Sequence, residues 1–234
     1  MDLLKKWGVF WEKFGPGGAW ERVIGEGLAN TLLIAVLGLL IGIVIGTLIA
    51  TIKVMPKYKK LPRVLDKICS VYVGFFRGTP IVVQLLLAYY VLFPLCGINL
   101  GSLNTCILVF GLNSGAYVSE IMRGGILSVD PGQMEGGRAV GLSYAATMMK
   151  IVVPQAIKNI LPTLGNEFIV LIKETSIVSF IAVTDLYKSF KQLGDPTYDY
   201  TMPYLMLALT YLILVLLISW GVRALEAKMK KSER

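Results

Sequence analysis

The side chains that could do chemistry here are ionisable and amide groups within long apolar stretches, where a charge is costly and usually has a function. Glu167 lies about halfway along the apolar residues 151–182, directly after Asn166. A carboxylate can bind the ammonium group of a solute, and an amide can donate or accept hydrogen bonds. Glu174 follows seven residues later, on the same face of a predicted helix. We therefore predict a solute path that includes Asn166, Glu167 and Glu174.

Arg77 is a further ionisable group in an apolar stretch, and it lies just before Gly78 and Pro80, which can bend a helix. It could act as a gate or as a lock between subunits. The alternative is a structural ion pair of Arg77 with Glu120 or Glu167. Such a pair, or another polar contact between helices, would give Glu167 a structural role instead of a solute-binding one.

Three small polar side chains, Asn113, Ser114 and Ser119, pose a similar question. They could line a path for a polar solute, or they could be packing residues that let helices approach closely. We include Asn113 among the candidate path residues, and the packing alternative stays open.

The sequence excludes several kinds of chemistry. It contains no histidine, and its three cysteines form no Cys-x-x-Cys spacing, so we predict no metal site. A Ser/His or Cys/His catalytic set is impossible without histidine. The sequence also lacks a G-x-x-x-x-G-K-[ST] phosphate-binding loop. We therefore predict that the chain is not an enzyme and binds no cofactor of its own.

The apolar residues occur in blocks long enough to cross a bilayer as helices. They make up 55% of the 234 residues, and charged residues make up 16%, against about 25% in soluble domains. Because ~20 apolar residues span the hydrocarbon layer, the sequence predicts an all-α membrane protein with five transmembrane helices. The predicted spans are residues 28–52, 68–95, 102–122, 151–182 and 203–222.

The first predicted span contains a repeat of glycine. Gly38, Gly42 and Gly46 are spaced by four residues and therefore lie along one side of a helix. They could form a ridge that admits a second helix, although glycine is also common in membrane helices generally. We favour the packing ridge.

Charges between the spans predict one orientation. Basic side chains stay on the cytoplasmic side, and both residues 53–67 and the tail, residues 227–234, are basic. Five spans then place the N-terminus outside the membrane and the C-terminus on its cytoplasmic side. This orientation explains the net charge of +8, so we predict no nucleic-acid partner.

Residues 1–27 carry three tryptophans and are predicted to form an interfacial segment ahead of the transmembrane domain, residues 28–226.

The predicted cytoplasmic segment that begins at Asp130 has the pattern of a helix–turn–helix outside the bilayer. Asp130 and Pro131 favour a helix start, a short helix is expected at 135–140, and Gly141 can end it with a left-handed backbone. A second helix is expected from 142 to 150. The apolar side chains exceed what a solvated loop needs, so we predict that a partner protein covers them: Met134, Ala139, Val140, Leu142, Tyr144, Ala145 and Met148.

This segment resembles the loop signature of permease subunits of ATP-binding-cassette importers. The signature has a Glu, a Gly six residues later and, after nine more residues, Ile-x-x-Pro. Glu135, Gly141, Ile151 and Pro154 match it. The resemblance implies that residues 130–150, called the docking loop below, form the coupling helix that sits in a cleft of the ATP-hydrolysing subunit.

The resemblance also implies which side chains contact the ATPase. The family usually has alanine after the Glu where this chain has two glycines. Each glycine weakens a helix by about 1 kcal/mol relative to alanine. The implied docking residues are Glu135, Gly136, Gly137, Gly141 and Leu142.

Three more segments resemble the branch of this family that imports polar amino acids: FFRGTPIVVQLLL at 75–87, NSGAYVSEIMRGGI at 113–126 and GNEFIVLIKETSI at 165–177. The resemblance extends over most of the chain from about residue 28. It implies the fold of type I ABC importer permeases and a location in the cytoplasmic membrane of a prokaryote. It also implies that two permeases, identical or paralogous, work with an ATPase dimer, which binds ATP and Mg²⁺, and with an extracytoplasmic solute-binding protein.

The expected function is therefore the permease subunit of an ATP-driven importer of a polar or charged amino acid. A permease for another small amine-bearing solute is one alternative. A membrane scaffold or sensor without flux is another. A membrane enzyme acting on lipid or peptide is the last, although it would need a cluster of catalytic side chains at one depth.

Overall fold

A computed structural model describes residues 3–15 and 18–231, and all regular structure in those residues is helical. The α-helices are α1 (Leu3–Phe14), α2 (Ala29–Val54), α3 (Lys60–Gly78), α4 (Ile81–Leu87), α5 (Phe93–Leu95), α6 (Ser102–Leu127), α7 (Pro131–Ala139), α8 (Tyr144–Thr147), α9 (Val153–Glu174), α10 (Leu186–Gly194) and α11 (Thr201–Lys231). Short π-helical turns precede α2, join α4 to α5 and join α8 to α9. The predicted all-α class is confirmed for this part of the chain.

Three helical segments of the described residues are long and apolar enough to cross a membrane: Arg22–Val54, Ser102–Leu127 and Thr201–Met229. Lys60–Gly78 and Ile81–Leu95 meet the same criterion only together, as one broken span or a re-entrant loop. Helix α9 is not among these segments, and it carries ionisable and amide side chains along its length. The count of five spans and the orientation of the termini stay predictions.

The second predicted span is broken near its middle. Helix α3 ends at Gly78, the backbone of Thr79 and Pro80 is extended, and α4 begins at Ile81. Proline lacks an N–H group and favours extended backbone at the residue before it, so the helix ends here. The predicted interruption is confirmed, but it is a complete break instead of a bend.

Helices continue past several of the predicted span ends. Residues 53–67 are predicted to be a loop, whereas α2 runs to Val54 and α3 begins at Lys60. Likewise α6 continues to Leu127, and α11 continues to Lys231, within the predicted tail. Charge marks the end of an apolar run, but Lys, Arg and Glu are good helix formers. A helix can therefore extend beyond the apolar residues that reveal it.

The described residues fall into two compact units. The first unit lies within Met1–Gly38, Pro80–Phe110 and Ile169–Leu217. The second unit lies within Leu39–Thr79, Gly111–Phe168 and Ile218–Arg234. Several helices, among them α2, α6, α9 and α11, contribute residues to both units.

The first unit contains helix α10, in a region that the sequence predicts to be a loop, residues 183–202. Asp185 caps this helix, because its carboxylate accepts hydrogen bonds from the backbone N–H groups of Tyr187 at 3.1 Å and Lys188 at 2.9 Å. The nine-residue helix is too short and too charged to stand out as an apolar block. Its apolar face belongs to a buried cluster of Phe10, Val23, Leu186, Phe190, Leu193 and Met202.

Helix α1 lies within residues 1–27, whose structure the sequence leaves open between a helix and an extended arm. Phe10 anchors it in the buried cluster, while Trp7 and Trp11 are exposed. Lys6 Nζ lies 2.9 Å from Asp199 Oδ2 and joins α1 to the residues before α11. A position at the membrane interface stays a prediction.

The second unit confirms the glycine ridge at two of its three positions. A Cβ atom at Gly42 would lie 2.7 Å from Ser114 Oγ, and one at Gly46 would lie 2.6 Å from Val118 Cγ1. The fit is reciprocal, because Gly111 of α6 would bring a Cβ within 2.6 Å of Ile41 on α2. Small residues on both helices therefore let α2 and α6 approach closely.

Candidate functional site

Glu167 is buried inside the second unit, with 9% of its surface exposed. Its Oε1 accepts a hydrogen bond from Ser114 Oγ at 3.1 Å. Ser114 lies near the middle of α6 and packs against Gly42 near the middle of α2. Glu167 therefore makes the polar contact between helices that the sequence allowed as an alternative.

Glu120, one of the two carboxylates that the sequence offered as a partner of Arg77, has other ion-pair partners in the structure. Glu120 pairs with Lys53 through Oε1 at 2.7 Å and with Arg123 through Oε2 at 2.9 Å. The Arg77 guanidinium instead lies over the ring of Tyr117, 5.4 Å from the ring centroid. The sequence could not foresee this because Lys53, which follows the apolar run of α2, competes for the same carboxylate.

Asn113 and Ser119 are buried, and each side chain donates a hydrogen bond to a backbone carbonyl group of the second unit. Asn113 Nδ2 donates to the Phe76 carbonyl oxygen at 3.2 Å, and Ser119 Oγ donates to the Ala116 carbonyl oxygen at 2.7 Å. Both contacts match the packing alternative. A role of Asn113 in a solute path stays a prediction.

Asn166 is exposed, whereas its chain neighbour Glu167 is buried. Successive helical residues point about 100° apart, so the two side chains can have different surroundings. Asn166 lines an open pocket of about 290 Å³ on α9 and α11. The other lining residues are Pro162, Ser219, Val222, Arg223 and Glu226.

The sequence does not single out Ser219, Arg223 and Glu226 as members of this pocket. The last span is predicted to end at residue 222, whereas α11 continues to Lys231. The spacing of Ser219, Arg223 and Glu226 by four and three residues, which is typical of one helical face, was the available signal.

Glu174 is the last residue of α9 and lies in the first unit. It is half-buried, whereas Lys173 beside it is exposed. The helical spacing that relates Glu174 to Glu167 is confirmed, because α9 is continuous between them.

The docking loop has the predicted helix–turn–helix form. Asp130 Oδ1 accepts a hydrogen bond from the Gly132 N–H at 2.7 Å, and Pro131 occupies the first turn of α7. Gly141 adopts the predicted left-handed backbone, with φ of +89°. The second helix then begins at Tyr144, where Ser143 Oγ accepts from the Ala146 N–H at 3.2 Å.

The exposed surface of the docking loop differs in part from the predicted docking set. Glu135, Gly136 and Gly141 are exposed, and Leu142 is half-buried. Gly137 is buried against Thr147, where a Cβ atom would clash with the threonine methyl group. Gly137 therefore serves the packing of α7 on α8 and is not part of the exposed surface.

Some apolar side chains that were predicted to need a partner are covered by the chain itself. Met134 and Met148 pack against a buried cluster of the second unit, and the Tyr144 hydroxyl donates to the Val54 carbonyl oxygen at 3.1 Å. Val140, in contrast, is 79% exposed. An uncovered apolar side chain therefore remains at the end of α7, but the uncovered surface is smaller than the sequence predicts.

Residues 38–231 match the family model described as binding-protein-dependent transport system inner membrane component. The chain belongs to this family. The match includes every candidate residue named above, and it begins after α1.

Several curated permease proteins are similar to this chain over most of their length. The chain is 38% identical to the arginine transport system permease protein ArtQ of Bacillus subtilis over 208 residues, which is 89% of this chain and 93% of that protein. It is 42% identical to the putative glutamine transport system permease protein GlnP of Rickettsia bellii, over 71% of this chain and 77% of that protein. The L-cystine permease protein TcyB of B. subtilis is 38% identical over 72% of each chain.

Solved structures of related transporters share the fold. A crystal structure of an amino acid ABC transporter with histidines matches with a TM-score of 0.80 and 36% identity, over 97% of this chain and 99% of that chain. The inward-facing MetNI methionine ABC transporter matches with a TM-score of 0.70 over 97% and 99% of the chains. At 18% identity the second likeness concerns the fold alone. The predicted fold of type I ABC importer permeases is confirmed.

Proposed function

We propose that the chain is the permease subunit of an ATP-driven importer that carries a polar or charged amino acid across the cytoplasmic membrane. The observation that carries this proposal is its similarity, over most of its length, to permeases named for arginine, glutamine and cystine. These solutes share an α-ammonium and an α-carboxylate group, so the proposal concerns amino acids as a class.

The energy for import comes from a separate ATPase dimer in this proposal. The sequence has no phosphate-binding loop, and the docking loop presents Glu135, Gly136 and Val140 to solvent. An acidic side chain beside a small apolar surface suits a cleft that combines basic and apolar groups. ATP and Mg²⁺ bind in the partner subunits, a second permease copy or paralogue completes the pore, and an external binding protein delivers the solute.

The pocket that includes Asn166 is the proposed contact site for the solute. Arg223 and Glu226 supply opposite charges on one helix, and Ser219 and Asn166 supply uncharged hydrogen-bonding groups. A zwitterionic amino acid presents complementary groups to all of them. The pocket volume of about 290 Å³ is large enough for one such solute. Glu167 does not line this pocket. In this proposal it influences the solute path through its buried contact with Ser114.

Uptake by the reconstituted complex tests the proposal. Proteoliposomes that hold the chain, its ATPase and its binding protein should accumulate radiolabelled arginine, glutamine or cystine only when ATP is present inside. Absence of uptake for all amino acids tried, with ATP hydrolysis intact, would overturn the proposed function.

A charge reversal at the docking loop tests the proposed ATPase contact. Glu135→Arg should abolish uptake and weaken ATPase binding without affecting membrane insertion, because it reverses an exposed charge on α7. Asp66→Arg changes a carboxylate on α3, outside the docking loop, and should leave ATPase binding intact. Normal uptake by the Glu135 variant would show that the ATPase docks elsewhere.

A further inference from the structure

The C-terminal end of α2 is held by a side chain of the docking loop. Tyr144 Oη donates a hydrogen bond to the Val54 carbonyl oxygen at 3.1 Å. Val54 is the last residue of α2, and the last four carbonyl groups of a helix have no partner within the helix. Tyr144 therefore satisfies a carbonyl group that would otherwise need water.

Tyr144 is fixed relative to α7. It is the first residue of α8, directly after the Ser143 cap. Gly137 of α7 packs so closely against Thr147 of α8 that no Cβ atom fits between them. The turn between the two helices is short and includes the left-handed Gly141. A displacement of α7 therefore carries Tyr144 with it.

Helix α2 leads from this hydrogen bond to the buried carboxylate. Next to Val54, Lys53 pairs with Glu120 and joins α2 to α6. Three turns earlier, Gly42 packs against Ser114, the donor to Glu167. All of these residues belong to the second unit, so the path from the docking loop to Glu167 lies within one compact body.

The docking loop is also tied to α9. Gln155 Nε2 donates to Gln133 Oε1 at 3.1 Å, and so links α9 to α7. Loss of the Tyr144 hydroxyl would leave this link in place. The two connections can therefore be separated by mutation.

We propose that Tyr144 is a positioning residue that transmits a displacement of α7 by the docked ATPase to α2, and through α2 to the helices around Glu167. The inference rests on the proposed function, since it needs an ATPase that moves α7. Contact along a path does not by itself establish coupling. The test therefore compares transport with ATP hydrolysis.

The variant Tyr144→Phe removes only the hydroxyl group and keeps the ring. In proteoliposomes with the complete transporter, ATP hydrolysis should continue while solute uptake per ATP falls about fivefold, the change that one ordinary hydrogen bond supports. Tyr58→Phe is the matched control, because Tyr58 lies between α2 and α3 and is 89% exposed. Its uptake per ATP should equal that of the wild type.

Hydrogen exchange at the end of α2 provides a second readout that needs no transported solute. The backbone amides of residues 50–58 should change their exchange on ATP binding in the wild type and in Tyr58→Phe, but not in Tyr144→Phe. If that pattern holds while no amino acid is taken up, the proposed solute is wrong and the inference stands.

Two results would overturn the inference. In the first, uptake and ATP hydrolysis fall together in Tyr144→Phe, so that their ratio is unchanged and the residue is merely structural. In the second, uptake per ATP and the exchange response both match the wild type, so that the hydroxyl plays no part in coupling.

Discussion

Ser114 Oγ donates a hydrogen bond to Glu167 Oε1 at 3.1 Å and joins α6 to α9 in the interior of the second unit. The same hydroxyl lies where Gly42 brings α2 closest to α6. One small polar side chain therefore connects three helices, and it does so beside a buried carboxylate. Changes at this point should affect both stability and the movement of the helices.

Removal of the Ser114 hydroxyl should destabilise the chain. Ser114→Ala takes one hydrogen bond from the buried Glu167, at a cost of about 1–3 kcal/mol. Thermal unfolding of the purified chain in detergent measures the loss. Ser70→Ala, at an exposed position of α3, is the control and should unfold like the wild type. Equal melting temperatures for the two variants would contradict the role assigned to Ser114.

A side chain at Gly42 should separate α2 from α6. The Cβ atom of Gly42→Ala would lie 2.7 Å from Ser114 Oγ, so the helices must move apart, at a cost of ~1–3 kcal/mol. The melting temperature should fall and ATP-driven uptake should decrease. Gly124→Ala on α6 meets no atom within 4 Å and should be neutral or stabilising. A neutral effect at position 42 would mean that the two helices are not packed as described.

Arg223 should determine how tightly the solute binds. Arg223 is the cation that lines the Asn166 pocket. Arg223→Gln should therefore raise the KM for uptake by about tenfold, because loss of one charge-assisted hydrogen bond weakens binding by about that factor. The maximal rate should change less than KM. Lys228→Gln removes an exposed charge from the same helix outside the pocket and should leave KM unchanged. An unaltered KM in the Arg223 variant would exclude this pocket as the carboxylate site.

The Lys6–Asp199 pair should respond to acid. Hydrogen bonds from Lys6 and Thr201 lower the pKa of Asp199 from 3.8 to about 2. A lowered pKa means that the pair stabilises the fold at pH values above 3.8 and that this contribution is lost as pH falls through about 2. In Lys6→Met the pKa of Asp199 should rise towards its usual value, whereas Lys5→Met should leave it low. Carboxyl NMR titration of Asp199 gives both values, and an unchanged pKa in Lys6→Met would rule out the pair.

Local patterns in the docking loop were sufficient to predict where its first helix begins and where the chain turns. The Asp130 cap, Pro131 in the first turn and the left-handed Gly141 all lie where the sequence places them. Each depends on backbone preferences of one residue and its near neighbours. The length of the helices was less predictable, because charged residues such as Lys60 can continue a helix after the apolar run has ended.

The sequence by itself determined that the chain is helical, rich in segments able to cross a membrane, and without a phosphate-binding loop, because composition and local spacing carry that information. Only the tertiary structure decided the partners of its charges. It placed Glu167 with Ser114, Glu120 with Lys53 and Arg77 over Tyr117, and it placed Asn166 in an open pocket. Helical periodicity shows which residues share a face, but the helix that meets that face is selected by close packing between segments distant in the sequence.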